Sequence, residues 1–277
     1  MYEALTLGSE VILSAYPILI KKVDASLPAQ TFFRMATFTV MAIVSALVSG
    51  TPILQGTTLQ NVIMPGLLNL IHVGSSYTAF DALPAGNAMA LFYTYPVWNM
   101  LGAAWAFKES IPSSSIPWIG LAVLGAILLA QPTGEWTMWG VLAALLAAIT
   151  ETGIYLWFRK EPEAPDQPWT TMARMYGGSL LLLLPLLLLG LLSFGKLQGS
   201  ATSTMLLFNI FVGFVGYALR FYTIPHVSTV TFSSISFFGI VAAYALGWLF
   251  VGEVPSTVQG IGAVCITIAN LFLLRKE

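Results

Sequence analysis

Charge is what this chain has least of. Asp, Glu, Lys and Arg together make up 8% of its 277 residues, where a soluble domain carries about 25% to keep its surface wetted. Mean hydropathy is +0.83 and 57% of the residues are hydrophobic, so most of the molecule must find its solvent in lipid. The net charge of −1 supplies no basic field, which removes nucleic acid as a partner. Cys265 is the single cysteine, excluding an internal disulfide and a cysteine-rich metal centre. Two histidines, His72 and His226, are too few for most zinc or catalytic constellations. There is no Gly-rich phosphate loop of the Walker type, and neither an enzyme nor a cofactor is expected. The opening MYEALTLGSEVILSAYPILIKK lacks the basic start of a cleavable leader and runs directly into an apolar span.

What is present is a series of long apolar runs. About 20 such residues carry a helix across the hydrocarbon core. Ten stretches qualify, near 3–20, 29–49, 60–80, 84–107, 116–131, 137–158, 169–194, 204–222, 227–250 and 256–274. Connections such as KKVDASLP and RKEPEAPDQP are too short to fold as soluble domains. Strand alternation is absent, which excludes a β-barrel. The expected fold is an all-α polytopic membrane protein of ten transmembrane helices.

The ten fall into two sets of five. Lys21 and Lys160 close the first helix of each set, 139 residues apart. Pro28 and Arg34 recur as Pro168 and Arg174 at an offset of 140, and turns holding Pro84 and Pro225 at 141. Ile119-Gly120 recurs as Ile261-Gly262 at 142, and Glu109 as Glu253 at 144. A drift in one direction through five landmarks marks an internal duplication, residues 1–132 and 133–277. Five is odd, so the second half enters from the opposite side, an inverted repeat that gives carriers two near-equivalent gates around a midplane site. Lys108, Arg159, Lys160, Arg275 and Lys276 flank the N-terminal side, and Lys21, Lys22 and Lys196 the other. That bias places both termini in the cytoplasm of a cell or inner membrane.

The segment TAFDALPAGNAMALFYTYPVWNMLGAAWAFKESIP, followed by IGLAVLGAILLA, resembles helices three to five of the drug/metabolite transporter superfamily in its ten-helix, EamA-like form. The shared pattern is a short Pro turn, a small-residue helix, a second Pro, then an acidic residue before the last helix. RFYTIPHVSTVTFSSISFFGIVAAYALGWLFVGEVP with IGAVCITIANLFLL repeats it more loosely, Phe237 standing where the mid-helix Pro would be. The resemblance implies secondary transport of a small organic solute by alternating access.

Glu10 lies about 16 Å from the end of its helix and Glu151 about 12 Å from the end of its own, too deep for so short a side chain to reach water. An acid at that depth faces a cavity or a partner, and can trade a proton for a cation. Ser9-Glu10-Val11-Ile12 and Thr150-Glu151, offset by 141, resemble the small multidrug resistance pumps, whose first helix carries one Glu shared by protons and cationic substrates. The downstream aromatic positions of those pumps fall here at Met89 and Phe92, and at Val230 and Ser233, so a polyaromatic drug pocket is not expected. The competing reading makes both acids structural. Arg220 has no counterpart in the first half, where Ala79 stands. It is placed to neutralise Glu151, which would leave Glu10 as the free carrier.

Tyr16, Phe92, Tyr93, Tyr95, Trp98, Tyr155 and Trp157 either line a central cavity or anchor the helices at the interfaces. Asn69, His72 and Ser76, three and four residues apart, share a helix face that is expected to look into the cavity. Arg34 and Arg174, about one turn inside their helices, either snorkel to the headgroups or receive a carboxylate or phosphate. Two solute classes follow. One is an organic cation or amine exchanged against protons through Glu10, with Glu151 assisting. The other is an amino acid or zwitterionic metabolite held by Asn69, His72 and Asn87. A non-transporting membrane sensor is a third class, which the repeat argues against. A monomer or weak homodimer is expected, because one chain already holds both halves.

Overall fold

The computed structural model describes residues 1–83, 85–129, 137–160, 168–195, 198–252 and 254–274. Pro84, Lys196, Glu253, Arg275, Lys276 and the expected repeat boundary at 132/133 lie outside them. The described secondary structure is helical throughout. In chain order the helices are α1 (Tyr2–Leu13), α2 (Tyr16–Lys22), α3 (Leu27–Val48), α4 (Leu59–Ala82), α5 (Ala85–Phe92), α6 (Tyr95–Phe107) and α7 (Ile116–Leu129). Then come α8 (Met138–Lys160), α9 (Trp169–Leu188), α10 (Gly199–Phe208), α11 (Val215–Thr223), α12 (Thr229–Ser236), α13 (Phe238–Val251) and α14 (Thr257–Leu274). A π-helical turn, Asn209–Phe214, joins α10 to α11, and a 3₁₀ turn, Ile224–His226, ends that pass. Grouped by their breaks these make ten passes, six of them long and apolar enough to cross a membrane by length and composition. The chain is a polytopic α-helical membrane protein.

The breaks have local causes. Pro17 has no N–H to return to Leu13, and Pro96 none to Phe92, so the first and fourth passes divide as α1–α2 and α5–α6. The ninth pass divides at Phe237 without a proline. There Ser234 and Ser236 donate to Val230 O and Phe232 O one turn back, a bonding pattern that bends helices.

Packing is inside-out relative to a soluble protein. Leu47, Trp105 and Leu188 are 69%, 78% and 85% exposed, while Glu10, Arg34, His72, Glu151 and Arg220 are buried. α4 lies on α8 and α9, α3 on α9, α1 on α11 to α13, and α7 on α14. Glycines set the closest approaches, since without a hydrophobic drive between helices small residues let backbones meet. A Cβ on Gly66 would stand 2.6 Å from Gly178 C, and one on Gly125 2.6 Å from Gly262 O. At one end of the bundle Lys21 Nζ donates to Leu83 O at 2.9 Å and Lys22 Nζ to Phe250 O at 3.0 Å. At the other, Arg159 pairs with Glu109 at 2.9 Å and donates to Ile224 O and Val227 O, both at 2.8 Å.

Gly66→Ala is expected to lower the melting temperature of the detergent-purified protein by several degrees, since overpacking costs about 1–3 kcal/mol. Gly74→Ala on the same helix meets nothing within 4 Å and should leave the melt unchanged.

Candidate functional site

Three passes deliver three charges to one point. Glu10 comes from α1, Glu151 from α8 and Arg220 from α11, each no more than 3% exposed. Arg220 Nη1 donates to Glu10 Oε1 at 2.6 Å, and Arg220 Nη2 lies 2.8 Å from Glu151 Oε1. One guanidinium therefore spans two carboxylates from different halves of the sequence. It is sandwiched as well, with Cζ 4.9 Å from the Tyr95 ring centre and 5.3 Å from that of Phe232.

The two acids are held unequally. Glu10 also accepts from Ser236 Oγ at 3.0 Å, Tyr95 OH at 3.1 Å and Tyr93 OH at 3.3 Å. Those tyrosines flank the α5–α6 break, so the interruption caused by Pro96 aims both hydroxyls at one oxygen. Glu151 has only the neighbouring charges: Oε2 is 3.3 Å from His72 Nε2, and neither that oxygen nor Arg220 Nη2 has an aligned hydrogen-bond partner. Glu10 is saturated and Glu151 is held by proximity. His72 Nδ1 in turn lies 3.2 Å from Ala147 O, one turn before Glu151 on α8.

A small cavity of about 30 Å³ adjoins the cluster, room for about two waters. His72, Glu151 and Arg220 form one wall, Tyr16, Arg34 and Tyr217 another, and Ser76, Met89, Phe92 and Tyr93 close it. Hydrogen bonds cross both ends of the bundle, and the cavity between them has no room for a metabolite.

The structure brings together Glu10, Glu151, His72, Tyr93, Tyr95 and Arg220. It corrects other expectations. Glu10 is not left free, because Arg220 binds it more closely than it binds Glu151. Asn69 does not face the cavity; its amide donates to Ser179 Oγ at 2.8 Å and ties α4 to α9. Three residues of helix turn by about 300°, which swings Asn69 some 60° off the His72 direction. Asn87 is buried but does not line the cavity. Tyr155 bonds Thr229 at 2.9 Å, and Trp98 is 44% exposed.

Arg34 does not snorkel. α3 starts at Leu27, capped by Ser26, which puts Arg34 two turns deep and 2% exposed. Arg174 instead clamps the connection between α3 and α4, donating to Thr57 Oγ1 at 3.1 Å and Gln55 O at 2.6 Å. Ser236 and Tyr217 were not anticipated from sequence. Ser236 sits in a serine-rich stretch that reads as a generic polar helix, and Tyr217 lies one turn before Arg220, the one signal that it shares its face.

Breaking a buried pair by removing one partner costs about 3–5 kcal/mol, because the remaining charge is left uncompensated. Arg220→Met is thus expected to cut the folded yield and melting temperature sharply. Adding Glu10→Gln and Glu151→Gln should recover most of the loss in the same thermal melt.

Comparison with known proteins agrees with this architecture. The pseudopaline exporter CntI of Pseudomonas aeruginosa is 24% identical over 267 residues, covering 94% of this chain and 90% of that one. The uncharacterized transporter YdfC of Bacillus subtilis is 25% identical over 223 residues, covering 75% of this chain and 68% of its own. A crystal structure of another protein, 16% identical, matches all of this chain and 98% of that one with a TM-score of 0.78, which shows a shared fold. Residues 1–131 and 138–275 match the EamA-like transporter family, and with nearly the whole length accounted for, the chain belongs to that family.

Proposed function

We propose that this transporter moves a small organic metabolite by alternating access of two inverted five-helix halves, with a proton shared by His72 and Glu151 as the coupling ion. The contact between His72 Nδ1 and Ala147 O carries the coupling reading. A carbonyl only accepts, so Nδ1 carries the imidazole hydrogen. Nε2 of a neutral ring then turns a bare lone pair toward Glu151 Oε2 at 3.3 Å. A lone pair against an ionised carboxylate is repulsive; a proton on either atom turns the contact attractive, and a small rotation of the Glu151 carboxylate would complete the hydrogen bond that Oε2 lacks in this arrangement. The pair is therefore built to hold one proton more than a neutral imidazole and a free carboxylate.

Losing that proton changes the hold on Arg220. With it, Glu151 is a weak partner and Arg220 belongs to Glu10. Without it, Glu151 competes for the same guanidinium, pulling α8 and α11 together. Arg34, Tyr16, Tyr93, Tyr95, Tyr217 and Glu10 are the other charged or titratable groups facing this cluster, and none lies within ion-pair distance of His72 among the described residues.

The inverted-repeat reading rests on two latches and the family match. Lys21 donates to Leu83 O at the turn before α5, and Arg159 donates to Ile224 O at the turn before α12. Acceptors 141 residues apart meet donors 138 apart, at opposite ends of the bundle, as exchangeable gates require. The two matched segments, 1–131 and 138–275, are nearly equal in length. A relative named as the exporter of an organic metabolite supports a solute of that kind here, and the Lys and Arg bias supports cytoplasmic termini.

Pyranine-loaded proteoliposomes challenged with amino acids and carboxylic acids test the coupling. The wild type is expected to change internal pH as solute moves, and Glu151→Gln to exchange labelled solute while losing the pH signal. Solute flux with no pH signal in the wild type would contradict the shared proton.

A further inference from the structure

We infer that Arg34 is the subsite for a carboxylate on the transported solute, so that the substrate class is small organic acids and amino acids rather than organic cations. The inference rests on the transporter reading and adds the chemistry that the central cavity selects.

Arg34 is a buried cation without an anion. No carboxylate of the described residues lies within ion-pair distance of it, and its Nε and Nη2 have no hydrogen-bond partner. Its surroundings are rings: Cζ lies 4.7 Å from the centres of Tyr16 and Tyr217, 5.5 Å from Phe38 and 5.7 Å from Tyr77. Each ring face attracts the cation. The tyrosine hydroxyls of Tyr77, Tyr176 and Tyr217 also interact with it, but Nε and Nη2 are left without a hydrogen-bond partner, and a buried ion is costly until such donors are satisfied.

Charge counting shows what is missing. Arg220 stands between Glu10 and Glu151, and a proton shared by Glu151 and His72 brings that cluster to neutrality. Arg34 then leaves the cavity wall with one positive charge uncompensated. The complement is a monoanionic group brought in by the solute.

Geometry narrows the group. Nε and Nη2 are the two donors along one edge of the guanidinium, with parallel N–H bonds that match the two oxygens of a carboxylate. Arg34 lines the cavity, whose volume of about 30 Å³ holds about two waters, so a carboxylate reaches the buried Nε and Nη2 as the surrounding helices part. Tyr16, Phe92 and Tyr93 border the same space and supply apolar surface for the body of the solute. The donors are not left open by a requirement of the helix. At the corresponding position in the other half, Arg174 spends Nε and Nη2 on Thr57 and Gln55.

The test is the melting temperature of the detergent-purified full-length protein in sodium acetate or L-glutamate, against sodium chloride, sodium phosphate and choline chloride at equal ionic strength. A ligand that binds only the folded state raises it. Acetate or glutamate is expected to raise the wild-type value by a few degrees over chloride, and not to raise that of Arg34→Gln. Arg34→Lys, which keeps the charge and loses the fork, is expected to need at least tenfold more carboxylate for the same shift. It also serves where Arg34→Gln fails to fold. No difference between carboxylates and chloride in the wild type overturns the inference, as does stabilisation by choline or by phosphate alone. Flux in proteoliposomes separates the two levels. Arg34-dependent binding without flux would keep the subsite and sink the transport reading, whereas flux of cations undiminished in Arg34→Gln would do the reverse.

Discussion

A single guanidinium held between two buried carboxylates organises this protein. Arg220 reaches Glu10 on α1 with one nitrogen and Glu151 on α8 with another, and in a medium that solvates no charge none of the three is tolerable alone. Passes distant in sequence are joined at their centres by that need. The surrounding hydroxyls of Tyr93, Tyr95 and Ser236 complete the shell of Glu10 and leave Glu151 for His72. On this inequality rests the proposed division of labour, in which one acid fixes the arginine and the other exchanges a proton.

The irregular backbone gathers around the same point. The first pass breaks after Leu13, the fourth at Tyr93–Thr94 and the ninth at Phe237, while the eighth carries a π-turn that ends at Phe214, three residues before Tyr217. Within a membrane such interruptions persist only where protein or a cavity satisfies the freed groups. Here Ser14 Oγ donates to Gly239 O at 2.8 Å, stitching the first break to the ninth pass just beyond its own. Gly239 also has no room for a Cβ, because the Tyr93 hydroxyl occupies that space. The interruptions in these passes are thus the places that bring Glu10, Tyr93, Tyr95 and Ser236 together.

The spans were legible because lipid imposes a simple rule on composition, and the ten expected stretches agree with the ten passes to within several residues. The two acids were legible for the same reason: a carboxylate deep within an apolar span needs a partner. What sequence did not reveal was which partner. Arg220 was assigned to Glu151 from its depth, whereas the π-turn at Asn209–Phe214 shifts the helix register and lets it span both. Asn69 illustrates the opposite limit, since a face argument at a spacing of three leaves an error of about 60°, enough to separate a cavity wall from a helix contact. For Arg34 the sequence left snorkelling open beside an anion-receiving role, and its depth excludes the former because the helix starts two residues earlier than the apolar run suggests. The proline and serine at that start, Ser26 and Pro28, mark the true N-terminus.

The shared proton is the central claim, and the histidine ring reports it directly. The chain has only two histidines, so nitrogen-15 labelling of histidine in the His226→Gln variant leaves the two nitrogens of His72 as the only imidazole signals. Solid-state NMR in lipid is expected to show hydrogen on Nδ1 at every pH, and an Nε2 signal shifted by a strong hydrogen bond that disappears in Glu151→Gln. A bare Nδ1 with hydrogen on Nε2 would contradict it, because a neutral ring in that tautomer donates to an ionised Glu151 and leaves no extra proton to carry.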